Sequence, residues 1–147
     1  MGTRSIITFY DVYNGNETKL VRIYQQYDGY LEGVGRELCE WLLGKKMIDG
    51  ITFEQKSAQC TNGTGCLAAK FIHDFKKEIG GLYIVGDNYE NQDYNYDVYI
   101  NFNNDGFHLD EMTTIKVSNF DAEPFFVGSP SSLMSFIKSG MEFEDEY

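Results

Sequence analysis

The chain has 147 residues, 42% of them hydrophobic, a length that suits one domain with a core of its own and requires neither disulfides nor metal for stability. Its 23 acidic against 12 basic residues leave a formal charge of −11 with no basic stripe, which excludes nonspecific binding along a nucleic-acid backbone. No apolar run approaches the roughly 20 residues needed to cross a bilayer, and three cysteines (Cys39, Cys60, Cys66) with no secretory leader point to a cytoplasmic protein without membrane association.

Arg4 to Tyr10 is rich in β-formers and predicts a strand, Asp11 to Asn16 supplies turn residues, and Lys19 to Gln26 predicts a second strand that closes a hairpin. With side chains alternating, Val21, Ile23 and Gln25 share one face of that strand, and Leu20, Arg22, Tyr24 and Gln26 the other. After the glycine-bearing stretch QQYDGYLEGVG (Gln25 to Gly35), the run RELCEWLLGKKM predicts a helix with Leu38, Trp41 and Leu42 on one stripe. Ile51 to Thr61 carries no clear period. A second helix is expected from about Gly65 to Ile79, with Leu67, Phe71, Phe75 and Ile79 inward and Cys66 buried, stopped by Gly80 and Gly81.

The following LYIVG predicts a buried strand and residues 87–95 a long polar turn. Tyr96 to Asn101 alternates cleanly, Asn104-Asp105-Gly106 makes a turn, and Phe107 to Leu109 and Thr113 to Val117 are short strands of an antiparallel meander. Ser131 to Ser139 is a last helix, capped through Ser129-Pro130 and ended by Gly140. The order β-β-α-α-β-β-β-β-α predicts an α+β fold, a mostly antiparallel sheet of about five or six strands covered by two or three helices, in a single domain over 1–140 with an acidic tail over 141–147.

Chemistry-bearing patterns are sparse. Cys60, Cys66 and His73 lack the tight pair and fourth ligand of a structural zinc site, and His108 with Asp110 has nothing nearby to complete a divalent-ion site, so neither metal nor cofactor is expected. Ser5 and Cys39 have no local base, and Gly2 would offer an amine without a side-chain nucleophile. The sequons at Asn16 and Asn62 are inert without export, and Ile6 stands where a myristoylation signal needs Ser or Thr. GYLEGVG matches neither GxGxxG nor the Walker pattern.

Two readings of Gln25–Gly35 stay open. The glycines shape a tight strand-to-helix turn, or they belong to a ligand pocket. In the pocket, Gly29, Gly33 and Gly35 offer amides, Arg4 and Arg22 pair with an anion, and Tyr24 and Tyr30 stack on a ring. Gln26 and Asp28 then hold polar edges.

Thr3-Arg4-Ser5, a short hairpin, and then YQQYDGYLEGVG running straight into RELCEWL resemble a group of small bacterial and phage proteins. These carry an N-terminal Thr-Arg-Ser or Thr-Arg-Gly and a later Tyr-x-Gln-x-Asp-Gly-Tyr, glycine-containing turn and helix. The matching positions are Thr3, Arg4, Tyr24, Gln26, Asp28, Gly29, Tyr30, Gly33 and Gly35, with Leu31 in place of the common proline. The resemblance covers about the first quarter to third of the chain and transfers no activity. It implies a phage-associated setting, in which small accessory proteins bind and neutralise a host defence protein or its nucleotide signal.

The leading expectation is therefore a non-enzymatic protein that binds an anionic or nucleotide-like small molecule near Gln25–Gly35, with a homodimer interface as one setting for the pocket. A second is an acidic inhibitor that docks on a basic host protein through Asp87, Glu90, Asp93 and Asp97. A third is a small hydrolase acting on a nucleotide through Asp28, His73, His108 or Asp110.

Overall fold

A computed structural model describes residues 2–48, 59–102 and 107–144, with side chains described through residue 139. Strands β1 (Ser5–Tyr13) and β2 (Asn16–Gln25) form an antiparallel hairpin. They join through Asn14 and Gly15 at φ of 50° and 80°, the left-handed pair that matches the strands' twist. A π-helical turn (Leu31–Gly35) continues directly into α1 (Arg36–Leu42). The short strands β3 (Lys46–Ile48) and β4 (Cys60–Asn62) pair in parallel as a small second sheet, followed at once by α2 (Gly63–Phe75). Then come β5 (Leu82–Val85), β6 (Tyr94–Asn101), the single turn α3 (Leu109–Met112), β7 (Thr113–Asn119), β8 (Phe126–Gly128) and α4 (Pro130–Glu144).

The main sheet has six strands in the order β5-β2-β1-β6-β7-β8. All neighbours are antiparallel except β1 and β6, which run parallel with Ile7 opposite Tyr96 and Phe9 opposite Val98. The α+β architecture and mostly antiparallel sheet are as the sequence predicts. Three details differ: a parallel pair joins the β1–β2 hairpin to the antiparallel meander, β3 and β4 form a separate small sheet, and β8 adds a further strand. At three residues each, β3, β4 and β8 are too short for alternation to reveal.

One face of the sheet is covered by helices. Ile7, Phe9, Ile23, Tyr96, Val98, Ile100, Ile115 and Val117 meet Leu38, Leu42, Leu67, Phe71, Leu133 and Ile137 in one apolar core. The spacing of Leu38, Cys39 and Leu42 on α1, and of Leu67, Ala68 and Phe71 on α2, is that of a stripe facing such a core. Aromatic edges lock the two helices together: Trp41 of α1 meets Phe71 edge-on at 5.4 Å and Phe75 at 6.0 Å, two α2 rings that stack on each other at 4.2 Å. Helix α4 starts where Ser129 accepts the Ser132 amide at 3.1 Å, with Pro130 at the first helical position, as its sequence predicts. It runs past Gly140 to Glu144, so the start of the expected acidic tail is helical in backbone; residues 145–147 lie outside the described residues.

Helix α2 ends at Phe75, short of Ile79, which is fully exposed. Lys76 leaves the helix and its ammonium donates to the carbonyls of Gly80 and Leu82, which holds the return into β5. Cys66 is exposed on α2 and not in its buried stripe. Cys39 is fully buried, and that burial pushes its thiol up to about 12. His108 forms a lone bridge to Lys46, and Leu109 already belongs to α3, so no strand spans Phe107 to Leu109. The expected turn at 104–106 lies outside the described residues.

The Trp41 indole donates to the Asp74 carboxylate at 2.8 Å, tying α1 to α2. That bond, with His73 and Lys70 beside it, lowers the Asp74 carboxyl to about 2. A carboxylate depressed in the folded state contributes stability above its unfolded value and loses it as pH falls through the folded one. The stability gap between wild type and Asp74→Asn, measured by urea unfolding, is accordingly expected to be largest at neutral pH and to narrow between about pH 4 and pH 2. A gap that stays constant with pH would refute this role.

Candidate functional site

The connection from β2 to α1 is held by its own backbone. The Gly29 amide donates to Thr3 O at 2.9 Å, Gly33 and Gly35 donate to Tyr30 O, and Val34 donates to Asp28 O at 2.8 Å. The buried Tyr96 hydroxyl donates to Gly29 O at 2.8 Å. The glycines are there for close approach. A Cβ on Gly33 would fall on the Asp28 carbonyl, and one on Gly29 would lie 2.8 Å from the Arg4 carbonyl carbon. The amides of Gly29, Gly33, Val34 and Gly35 are thus engaged within the turn, and Arg36 already donates into it, so α1 begins without an open set of amides for an anion. Of the two readings of this stretch, the shaped turn accounts for its glycines.

The arginines point elsewhere, and the reason is topological. β5 and β6 run in the same direction with β2 and β1 between them, so residues 86–93 cross over both strands on the face away from the helices. Arg22 and Tyr24 stand on that face of β2, as alternation predicts, and the crossing segment lies over them. The Arg22 guanidinium, 9% exposed, donates to the carbonyls of Gly86 and Tyr89 and pairs with Glu90 at 3.3 Å. Arg4 binds the other end: its side chain pairs with Asp93 at 3.2 Å and donates to Asn91 at 2.9 Å, while its amide donates to Asp93 at 2.9 Å. These bonds hold the Asp93 carboxyl below its usual range.

The acids proposed as a docking patch are the partners in this closure. Asp87 pairs with Lys19, Glu90 with Arg22 and Asp93 with Arg4. Asp97 lies half-buried on β6 beside Thr8; burial raises its carboxyl, and nearby Lys116, Lys19 and Arg22 with the Thr8 hydroxyl partly offset this. The residues expected to form an anion pocket and those expected to form an acidic surface therefore neutralise one another.

A different constellation opens beside them. Tyr24, Gln26, Tyr83, Ile84, Val85, Tyr89 and Asn91 line a groove of about 360 Å³ between β5 and the crossing. Tyr24 is buried at its floor, 5.2 Å from the Tyr89 ring and 6.1 Å from Tyr83, and burial raises its phenol. Tyr83 and Ile84 are exposed, which corrects the expectation of a buried LYIVG strand. Tyr83, Tyr89 and Asn91 were missed because only the Tyr24–Tyr83 register and the crossing bring them together. Tyr30 is exposed, and Asp28 lines a separate depression of about 260 Å³ with Glu37, Lys77 and Glu78.

The candidate hydrolytic groups are dispersed. His73 is exposed and contacts Asp74 at 3.0 Å, while Asp110 accepts the Ser131 amide at the start of α4. Among the described residues no three His, Cys, Asp or Glu side chains are placed to hold a metal ion, and no helix is long and apolar enough to cross a membrane. No family model, curated protein or solved structure matches the chain.

The two arginines are expected to differ sharply in their contribution to stability. Arg22→Met strands two carbonyls and a carboxylate beneath the crossing and should cost about 3 kcal/mol, with faster hydrogen exchange over 86–93. Arg4→Gln, in a pair more than a third exposed on both sides, should cost clearly less, because solvent screens the pair. Equal losses in denaturant unfolding would contradict this assignment.

Proposed function

We propose that the chain is a non-enzymatic binding protein that takes a nucleotide-like small molecule in the tyrosine groove. The observation that carries this reading is the convergence of Tyr24, Tyr83 and Tyr89 on one open groove with two amide side chains at its wall. The ligand ring lies against Tyr83 and Tyr89, and Gln26 and Asn91 bond to its polar edge. Arg4 stands at the rim through its bond to Asn91. An anionic group reaches its guanidinium in exchange with Asp93, which favours one or two negative charges over a polyphosphate in a chain of net charge −11.

The resemblance of the first quarter to third of the chain to small phage proteins suggests the setting: a cytoplasmic accessory protein that sequesters a host nucleotide signal. The competing reading, an acidic inhibitor acting through Asp87, Glu90, Asp93 and Asp97, is weakened by the ion pairs that already engage three of them. A hydrolase reading finds no base, nucleophile and ligand groove together among the described residues.

Calorimetry against mononucleotides and cyclic dinucleotides tests the proposal. At least one member is expected to bind with Kd below about 100 μM, near −5.5 kcal/mol. Tyr83→Ala and Tyr89→Ala should each weaken it about tenfold, at the low end of the range for one stacked base. Absence of binding at millimolar concentration, or affinity indifferent to both substitutions, would reject the groove.

A further inference from the structure

The two edges of the sheet are treated differently. At β5, Lys76 donates to the Leu82 and Gly80 carbonyls and lies over the Tyr83 ring at 5.4 Å, so a cation guards that edge. At the far side β8 pairs with β7 along one flank, and among the described residues no strand occupies the other. Its surroundings are apolar on both faces. Val127 is 58% exposed on the crossing side; Phe125 and Phe136, 6.2 Å apart, are exposed on the helix side, and Phe120 is exposed in the turn before the strand.

Between the Phe120–Glu123 turn that leads into β8 and the end of the crossing segment lies a depression of about 610 Å³ lined by Glu90, Gln92, Asn95, Phe120, Asp121, Ala122 and Glu123. Of its three carboxylates, Glu90 is paired with Arg22, which leaves Asp121 and Glu123 as its unneutralised charges. Asp121 and Glu123 take part in no ion pair among the described residues, and Lys116, opposite Val127, is drawn onto the Tyr99 ring at 4.9 Å.

We propose that β8 and the Phe120–Glu123 turn form a docking surface for an extended basic peptide, a partner segment that adds as a seventh strand and alternates apolar side chains with Lys or Arg. Backbone pairing along the free flank of β8 supplies register, and the apolar side chains lie against Val127 on one face and Phe125 and Phe136 on the other. The cationic side chains reach Asp121, Glu123 and the depression behind them. Charge complementarity selects this occupant over a second copy of the chain, whose net charge of −11 would oppose self-association. The β8 flank lies at the opposite edge of the sheet from the tyrosine groove, while the depression behind the Phe120–Glu123 turn shares the crossing segment with it.

The test uses a fluorescein-labelled heptapeptide of alternating lysine and valine and its glutamate counterpart, titrated with the full chain. The lysine peptide is expected to bind at least about tenfold tighter than the glutamate peptide, with affinity falling as salt shortens the Debye length from roughly 10 Å at 0.1 M. Asp121→Asn with Glu123→Gln should weaken it at least about fivefold, and Val127→Lys should weaken it as much or more, with amide exchange slowed by the peptide at 126–128. The exposed Asp121/Glu123 pair keeps the test decisive even if Val127→Lys fails to fold. Equal affinity for both peptides, indifference to the carboxylate substitutions, protection at 82–85 instead, no binding at about 1 mM, or a dimer closed through β8 in sedimentation would each overturn the proposal.

Discussion

A crossover between parallel strands ordinarily carries a helix, which satisfies its own backbone while it spans the sheet. The segment between β5 and β6 has no helix, so its carbonyls and amides must find partners on the strands beneath. Arg22 resolves this from below. Its rigid fork reaches two carbonyls and a carboxylate at once, a task for which a single lysine ammonium has the wrong shape. Arg4 closes the other end, where its own carbonyl accepts the amides of Asp93 and Tyr94 as its side chain binds Asp93. The closure acts together with the eight-residue parallel ladder that holds β6 beside β1.

The closure also divides the labour of the two faces. Beneath the helices the sheet is mainly apolar, with Ser5 and Thr113 at its ends, while the other face mixes stacked Tyr10 and Tyr99 at 4.4 Å with Thr8, Asp97 and Arg22. With the centre of that second face covered or internally paired, the exposed rings gather at the sheet's margins. Both proposed recognition surfaces accordingly lie at edges: a groove of tyrosines beside β5 and an apolar flank at β8.

Where local pattern suffices, the sequence was readable. The hairpin follows from β-forming residues on either side of a polar turn, although β1 runs on to Tyr13 and narrows the expected Asp11–Asn16 turn to Asn14-Gly15. Helices α1, α2 and α4 follow from apolar stripes and the Ser129-Pro130 cap. Elements whose existence depends on distant partners were not legible: the β3–β4 pair, the parallel union of β1 with β6, and β8. The same holds for the candidate site. Arg22 and Tyr24 could be assigned to one face of a strand by counting in twos, yet nothing in their neighbourhood says that residues near 90 will lie on them. The glycines of Gln25–Gly35 looked like a phosphate cradle because the requirement for close backbone approach writes the same residues into a turn as into an anion site. Tyr83 was hidden for a related reason: a short β-branched and aromatic run has the same composition at an edge as in a sheet's interior.

The parallel register of β1 and β6 has a bearing on how the chain is made. Ser5 must find Tyr94, and the bond from the Arg4 amide to Asp93 spans 89 positions, whereas the β1–β2 hairpin closes locally. On a ribosome the hairpin is complete long before its eventual neighbour emerges, and in that interval β1 presents an unpaired flank bearing Ile6, Ile7 and Phe9. A nascent chain in this condition offers the same flank to the β6 segment of another molecule. Slow translation or high expression would therefore be felt first as strand exchange between chains, at the centre of the sheet and not at its edges.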